Sequence, residues 1–447
     1  MFHSRREFIK RIAHAIGAAA FMEGFHRLGW ASAFLQQESN DYRALVSIFL
    51  YGGNDGNNTI IPAETAEYQA YASVRGTLAI PQSDLLPITP SSMSLRFGLH
   101  PSLRDIHDLW SERRLAVLCN VGTLVEPITR DQYLRGAQRP DSLFSHSDQQ
   151  AQWQASISDQ PSRTGWAGRL ADRLGANEQF PILISVAGSS LFATGAQARP
   201  LALVPGSSFG LRGFGTSPTE RTRLEALRQL LRVDTEMELV RKASELTEQA
   251  IANSQLLNQA LSNAAPLQTQ FPSTSLGRQL QQVAKIIAAR GSLGARRQIF
   301  FCSLGGFDTH NNQLPTQASL LTQLGQAMRA FYAATVELGV ATSVTTFTLS
   351  DFGRTFKPAA GGGTDHAWGS HHFIMGGAVR GGDFYGRYPT LAIGGPDDAS
   401  NEGRWIPNVA VDQYGATLAL WFGLPTSELT SVFPNIGRFS TPNLGFL

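Results

Sequence analysis

Asp365, His366, His371 and His372 stand within eight residues of one another, just after the Gly361-Gly362-Gly363 run. Imidazole and carboxylate are donors that suit zinc, manganese or iron, and a glycine-rich loop can fold them towards one point. Adjacent His371 and His372 would project to opposite faces of a strand, so the pair does not readily serve one ion. Upstream, GGFDTH places Asp308 and His310 two residues apart, on the same side of an extended loop, where they can share a cation. A helix-capping Asp308 with a surface His310 is the competing reading. Asp55, in YGGNDGNN, projects a further carboxylate, or else belongs to an Asx turn that only caps a helix. In LFSHSDQQ, Ser145, His146, Ser147 and Asp148 precede a helical run. A serine there is a cap, or a nucleophile or anion contact favoured by the free N–H groups and positive dipole of the helix N-terminus.

These groups need elements to hold them, and each follows an apolar run. Residues 344–350 (VTTFTLS) read as a buried strand ending at Asp351; residues 44–50 (ALVSIFL) read as one running into the Asp55 loop. Residues 298–304 (QIFFCSL) deliver Asp308 and His310, residues 115–121 (LAVLCNV) lead towards Ser145, and residues 181–187 form another strand. In open α/β sheets ligands bind outside the carboxyl ends of strands, so Asp351 gains weight from its position. Helical spacing covers 64–75, 103–113, 149–155, a segment ending at 174, 276–290 and 317–338. Residues 190–290 begin as a Gly-, Ser- and Pro-rich irregular stretch and continue as two helices over 218–263. They read as an insertion whose apolar stripe (Leu224, Leu227, Leu230, Leu231, Met237, Val240 and Leu246) packs as core.

The paired arginines of Ser4-Arg5-Arg6-Glu7-Phe8-Ile9-Lys10, an apolar segment and Ala31-Ser32-Ala33 resemble a twin-arginine signal peptide over residues 1–33. The resemblance implies the twin-arginine export machinery as a partner and a periplasmic or secreted destination, a route taken by proteins that fold or acquire a cofactor before crossing. The remaining chain has no apolar run near the roughly 18 residues that span a membrane. A net charge of +2 over 447 residues gives no reason to invoke nucleic acid. Cys119 and Cys302 sit in strand-like runs and are expected as buried free thiols. Trp153, Trp166, Trp368 and Trp405 are read as packing residues rather than a sugar site.

The order of these loops resembles the alkaline phosphatase and sulfatase superfamily. More closely, FLYGGNDGNNTIIP, LFSHSDQQAQW, GWAGRLAD, GGFDTH, SDFGRT, TDHAWGSHHFIMGGAVRGG and DQYGATLALWFGL are similar to the exported bacterial family catalogued as domain of unknown function 1501. The resemblance implies an α/β fold over residues 41–447: an alkaline phosphatase-like three-layer sandwich with a mostly parallel central sheet and a helical insertion. It further implies a divalent metal, zinc first with manganese or calcium as alternatives, as one or two ions held by Asp55, Asp308, His310, Asp351 and His366. Ser145, beside His146, then matches the nucleophile, and Arg354 places a bidentate donor on a phosphate or sulfate. Phe352 stands where the superfamily has a second ligand, which implies one well-formed metal position or a rearranged one. The expected function is hydrolysis of a phosphate or sulfate ester. The alternative is a degenerate module of the same scaffold that binds polysaccharide or a surface protein.

Overall fold

Seven consecutive buried residues run through the strand β1 (Arg43–Tyr51), the pattern of a strand covered on both faces in a parallel sheet. The structure, a computed structural model, describes residues 41–447 apart from 176–177, 207–208, 212, 216 and 234–235; residues 1–33, read as a signal peptide, lie outside the described residues. β1 pairs in parallel with β8 (Arg297–Gly305) on one side and with β9 (Val344–Ser350) on the other. Beyond β8 come β6 (Leu183–Ser185) and β7 (Leu201–Ala202), all parallel. Beyond β9 come β10 (Ser370–Gly376) and β5 (Leu115–Gly122), with β11 (Phe384–Tyr385) and β12 (Val409–Ala410) parallel to β5. β10 alone runs against its neighbours in this sheet. A small separate sheet joins β2 (Ile60–Pro62), β4 (Phe97–Leu99) and β3 (Leu86–Ile88) in that order.

Side chains of β1 alternate between faces. Leu45 and Phe49 join a core with Phe301, Phe347, Leu349, Trp153, Trp166, Tyr414 and Phe433, while Ala44, Val46 and Ile48 are fully buried on the opposite face. The helices His146–Ala155, Trp166–Leu174 and Val411–Phe422 supply the first of these cores. The helices Ser275–Ala288 and Gln313–Glu337 pack on each other, and Arg104–Ser111 packs against the latter. The expected α/β class with a mostly parallel sheet is the one found.

All four tryptophans read as packing residues are buried, as are both free thiols. The insertion helices Pro218–Leu230 and Glu238–Asn263 form as expected. Of the stripe read as core, Leu224 is buried, whereas Leu230, Met237 and Leu246 are exposed; Ile251 and Leu257 are buried further along the second helix. Among the described residues no helix is long and apolar enough to cross a membrane.

Candidate metal centre

Strand direction brings the functional loops together. β1, β8 and β9 end on one edge of the sheet, so the segments carrying Asp55, Asp308 with His310, and Asp351 all leave from that edge. Because β10 runs the other way, its entry rather than its exit lies there, and the residues just before Ser370, His366 among them, come to the same place. Hydrogen bonds pin the strand ends: Ser350 Oγ donates to the Leu50 carbonyl (2.6 Å), and Asn54 N donates to Ser350 Oγ (3.0 Å). At Gly52, φ is +113°, and a Cβ there would stand 2.3 Å from Asp308 N. Only glycine permits this turn against the Asp308 loop.

The convergence centres on Asp308 Oδ1. His310 Nε2 lies 3.0 Å from it, His366 Nε2 3.3 Å and His146 Nε2 3.4 Å, while His310 Nε2 and His366 Nε2 are 2.9 Å apart. His146 is the first residue of the helix His146–Ala155. Each imidazole has its other nitrogen against an acceptor: His146 Nδ1 against Asp351 Oδ2 (2.7 Å), His310 Nδ1 against Asp365 Oδ1 (3.1 Å) and His366 Nδ1 against the Phe144 carbonyl (2.7 Å). Acceptors of this kind fix the proton on Nδ1 and leave Nε2 as a lone pair. With Nε2 unprotonated, the imidazoles turn lone pairs towards Asp308 Oδ1, which also accepts from Arg354 Nη1 (2.9 Å), and a further cation among them would relieve the repulsion.

The donor set fits a divalent metal. Ligands about 2.0–2.1 Å from a tetrahedral zinc are roughly 3.3 Å from each other, close to the separations that His146 and His366 keep from Asp308. Ligand atoms of His146, Asp308 and His366 all lie within 4.8 Å of one another, and His146 Nε2 is buried without a hydrogen-bond partner. Burial works to raise the Asp308 carboxyl, but the Arg354 hydrogen bond and charge hold it below the ordinary carboxylate range. Burial pushes His366 below the ordinary imidazole range, opposed by its bond to the Phe144 carbonyl and aided by the Arg354 charge.

The other residues singled out from the sequence have different places. Asp351 is fully buried behind His146, where it accepts from Gly52 N (3.2 Å) and Gln150 Nε2 (2.8 Å) as well as meeting His146. It backs His146 from behind rather than joining the converging atoms. Asp55 is not among the converging groups: its carboxylate pairs with Arg75 and accepts from Asn57 N, Asn57 Nδ2 and Gln313 Nε2, all buried. The Asx-turn reading of Asp55 describes it better, since it caps the short helix Gly56–Thr59. Arg354 is enclosed, with donors on Asp308 Oδ1, the carbonyls of Gly52 and Thr364, and Thr364 Oγ1, so it braces Asp308 instead of facing a ligand. The phenyl ring of Phe352 walls the cluster, with its centroid 4.8 Å from that of His146 and 4.7 Å from that of His366.

Ser145 occupies the N-cap position, yet its hydroxyl caps no backbone N–H; it donates to Asp148 Oδ2 (2.5 Å) and lies 3.2 Å from Ser147 Oγ. The first N–H groups of that helix are therefore left for water or a ligand. His371 and His372 do lie on β10 and are buried away from the cluster. His371 accepts from Asn120 N, and His372 meets Thr348 Oγ1.

A family model described as "Protein of unknown function (DUF1501)" matches residues 42–401. No curated protein matches the chain. Among solved structures the chain is similar to Ps i-CgsB in complex with k-i-k-neocarrahexaose, at 10% identity over 90% of this chain and 77% of that one, with a TM-score of 0.36. It is similar also to the PsFucS1 sulfatase from Pseudoalteromonas sp., at 10% identity over 89% and 71%, with a TM-score of 0.37. A substituted form of alkaline phosphatase PafA overlaps at 9% identity over 70% and 64%, with a TM-score of 0.25. Likeness this loose carries no site chemistry from one chain to the other.

Proposed function

This chain belongs to the DUF1501 family, and from that premise and the centre just described we propose an exported, metal-dependent hydrolase acting on a phosphate or sulfate ester. The observation that carries the reading is the convergence of His146 Nε2 and His366 Nε2 on Asp308 Oδ1 at 3.4 and 3.3 Å, with ligand atoms of the three residues within 4.8 Å of one another and each imidazole backed by an acceptor on its Nδ1. His146, His366 and Asp308 would hold the ion, with His310 Nε2 beside them 3.0 Å from Asp308 Oδ1. A divalent cation there supplies Lewis-acid activation of a hydroxyl or water and screens the charge of an anionic ester. Ser145 is the nucleophile in this reading, and Asp148 Oδ2, already accepting its hydroxyl, takes the proton. The uncapped N–H groups of the helix His146–Ala155 bind the ester oxygens on which charge accumulates. Arg354 holds Asp308 in place, and Phe352 excludes water from one side of the imidazoles. Export rests on the Arg5-Arg6 leader.

The test is elemental mass spectrometry of protein purified without chelator, followed by assays on aryl phosphates and aryl sulfates. About one equivalent of transition metal is expected in the wild type and none in Asp308→Ala, with ester hydrolysis lost together with the metal. Hydrolysis that survives unchanged in both Asp308→Ala and His366→Ala removes the proposal.

A second reading, a binding module that keeps the scaffold without turnover, draws on the enclosure of Arg354 and the pairing of Asp55 with Arg75. Those contacts leave neither residue open to an anion. Metal retained with no ester cleaved would favour it.

A further inference from the structure

Three contacts close a ring behind His366. Its Nδ1 meets the Phe144 carbonyl at 2.7 Å, its own carbonyl accepts from Arg404 Nε at 2.9 Å, and the Arg404 guanidinium stands over the Phe144 ring, 4.8 Å from the centroid. Phe144 has φ of +75°, a left-handed conformation that costs a residue with a bulky side chain. The turn it makes aims its carbonyl at His366, and two residues later the helix begins with His146. One strained peptide segment thus sets the direction of two of the converging imidazoles. Arg404 bridges it to the His366 loop and is itself held by Glu402 at 2.8 Å.

We infer that Phe144 and Arg404 are positioning residues that hold His366 as its Nδ1–H tautomer, with Nε2 unprotonated towards Asp308, and so set the affinity of the centre for a divalent cation. The inference rests on reading this cluster as a metal centre. A merely structural contact between two loops would change the melting temperature and leave the tautomer alone.

The two roles separate in two variants. Arg404→Met keeps the aliphatic stem and removes the donor and the charge. Phe144→Gly relaxes the left-handed backbone and removes the ring, so strain relief and clamp loss act in opposite directions. Phe144→Tyr keeps the ring and serves as the conservative control. Imidazole 15N NMR of the metal-free protein reads the His366 tautomer, and competition with a chromophoric chelator reads Zn2+ affinity. Thermal melts of the metal-free proteins confirm folding.

The wild type and Phe144→Tyr are expected to show one tautomer and equal Zn2+ affinity. Arg404→Met and Phe144→Gly are expected to show mixed tautomers and roughly 10–100-fold weaker Zn2+ binding, the range for loss of an outer hydrogen-bond partner. A single Nδ1–H tautomer and undiminished affinity in both folded variants would overturn the inference. Wild-type protein that binds no Zn2+ overturns the metal reading instead, and the tautomer of the two variants then decides the clamp by itself.

Discussion

Asp308 and Asp55 are both acidic residues at the ends of parallel strands, and their neighbours give them opposite fates. Asp308 faces three imidazoles on a partly open surface; Asp55 faces Arg75 in the interior. Breaking a buried pair by removing one partner is costly, so Arg75→Met is expected to lower unfolding free energy by about 3–5 kcal/mol in urea titrations. Asp55→Asn should bind Zn2+ as the wild type does; loss of metal in that variant would restore Asp55 to the ligand set. The sequence allowed both readings because the arginine that decides between them lies 20 residues away, on the helix Thr65–Arg75. His146 was visible as a site residue but not as a ligand, for its role depends on Asp351 standing behind it. A second residue-scale prediction concerns acid. Burial pushes His371 and His372 down to about 3, from an ordinary value near 6.5. Between those values the unfolded chain binds more protons, so stability rises with pH in this window. As pH falls, stability is lost by up to roughly 1.4 kcal/mol per pH unit for each histidine. His372→Gln should move the acid-unfolding midpoint, followed by circular dichroism, to lower pH; an unmoved midpoint would assign the acid limb to other groups.

The elements that carry the centre were mostly legible. Apolar runs over 44–50, 298–304 and 344–350 became β1, β8 and β9 with ends within one residue, because a strand buried on both faces has few ways to be written. β10 is not among the strands read from the sequence, although His371 and His372 are expected on opposite faces of one; in the fold their polar atoms meet partners inside the protein or face its aromatic core. Direction cannot be seen in such a run at all, since parallel and antiparallel strands share the same alternation. Turn chemistry at the end of β1 yields a prediction at this scale. Gly52→Ala forces a left-handed alanine whose Cβ meets the Asp308 backbone at 2.3 Å. The variant is expected to lose about 2 kcal/mol or more of stability in urea titrations and to bind Zn2+ more weakly, because the Asp308 loop must move. Wild-type affinity in this variant would show that the loop adjusts without disturbing the centre.

At the scale of the molecule, burial is uneven. The helix Gln313–Glu337 buries residues along most of its length, whereas Pro218–Leu230 buries Leu224 alone and Glu238–Asn263 only Ile251, Leu257 and Ala260. Spacing predicts those two helices, but of the stripe read as core Leu224 is buried while Leu230, Met237 and Leu246 are exposed, since periodicity gives a face but not what covers it. Regions with little buried apolar surface open at low free energy. Deuterium exchange by mass spectrometry should therefore find both insertion helices exchanging well before the helix Gln313–Glu337, and equal protection would mean that the insertion is held by more than the contacts seen. The reversed strand β10 has a different consequence. Since β9 and β10 are adjacent and antiparallel, the segment between Asp351 and Gly369 leaves and re-enters the sheet at neighbouring points, whatever its length. Closing such a loop costs only slowly more as residues are added. Insertions at the exposed turn of this segment, residues 360–362, should therefore reshape what approaches the imidazoles, while the buried Arg354, Phe356 and Trp368 of the same segment keep it anchored.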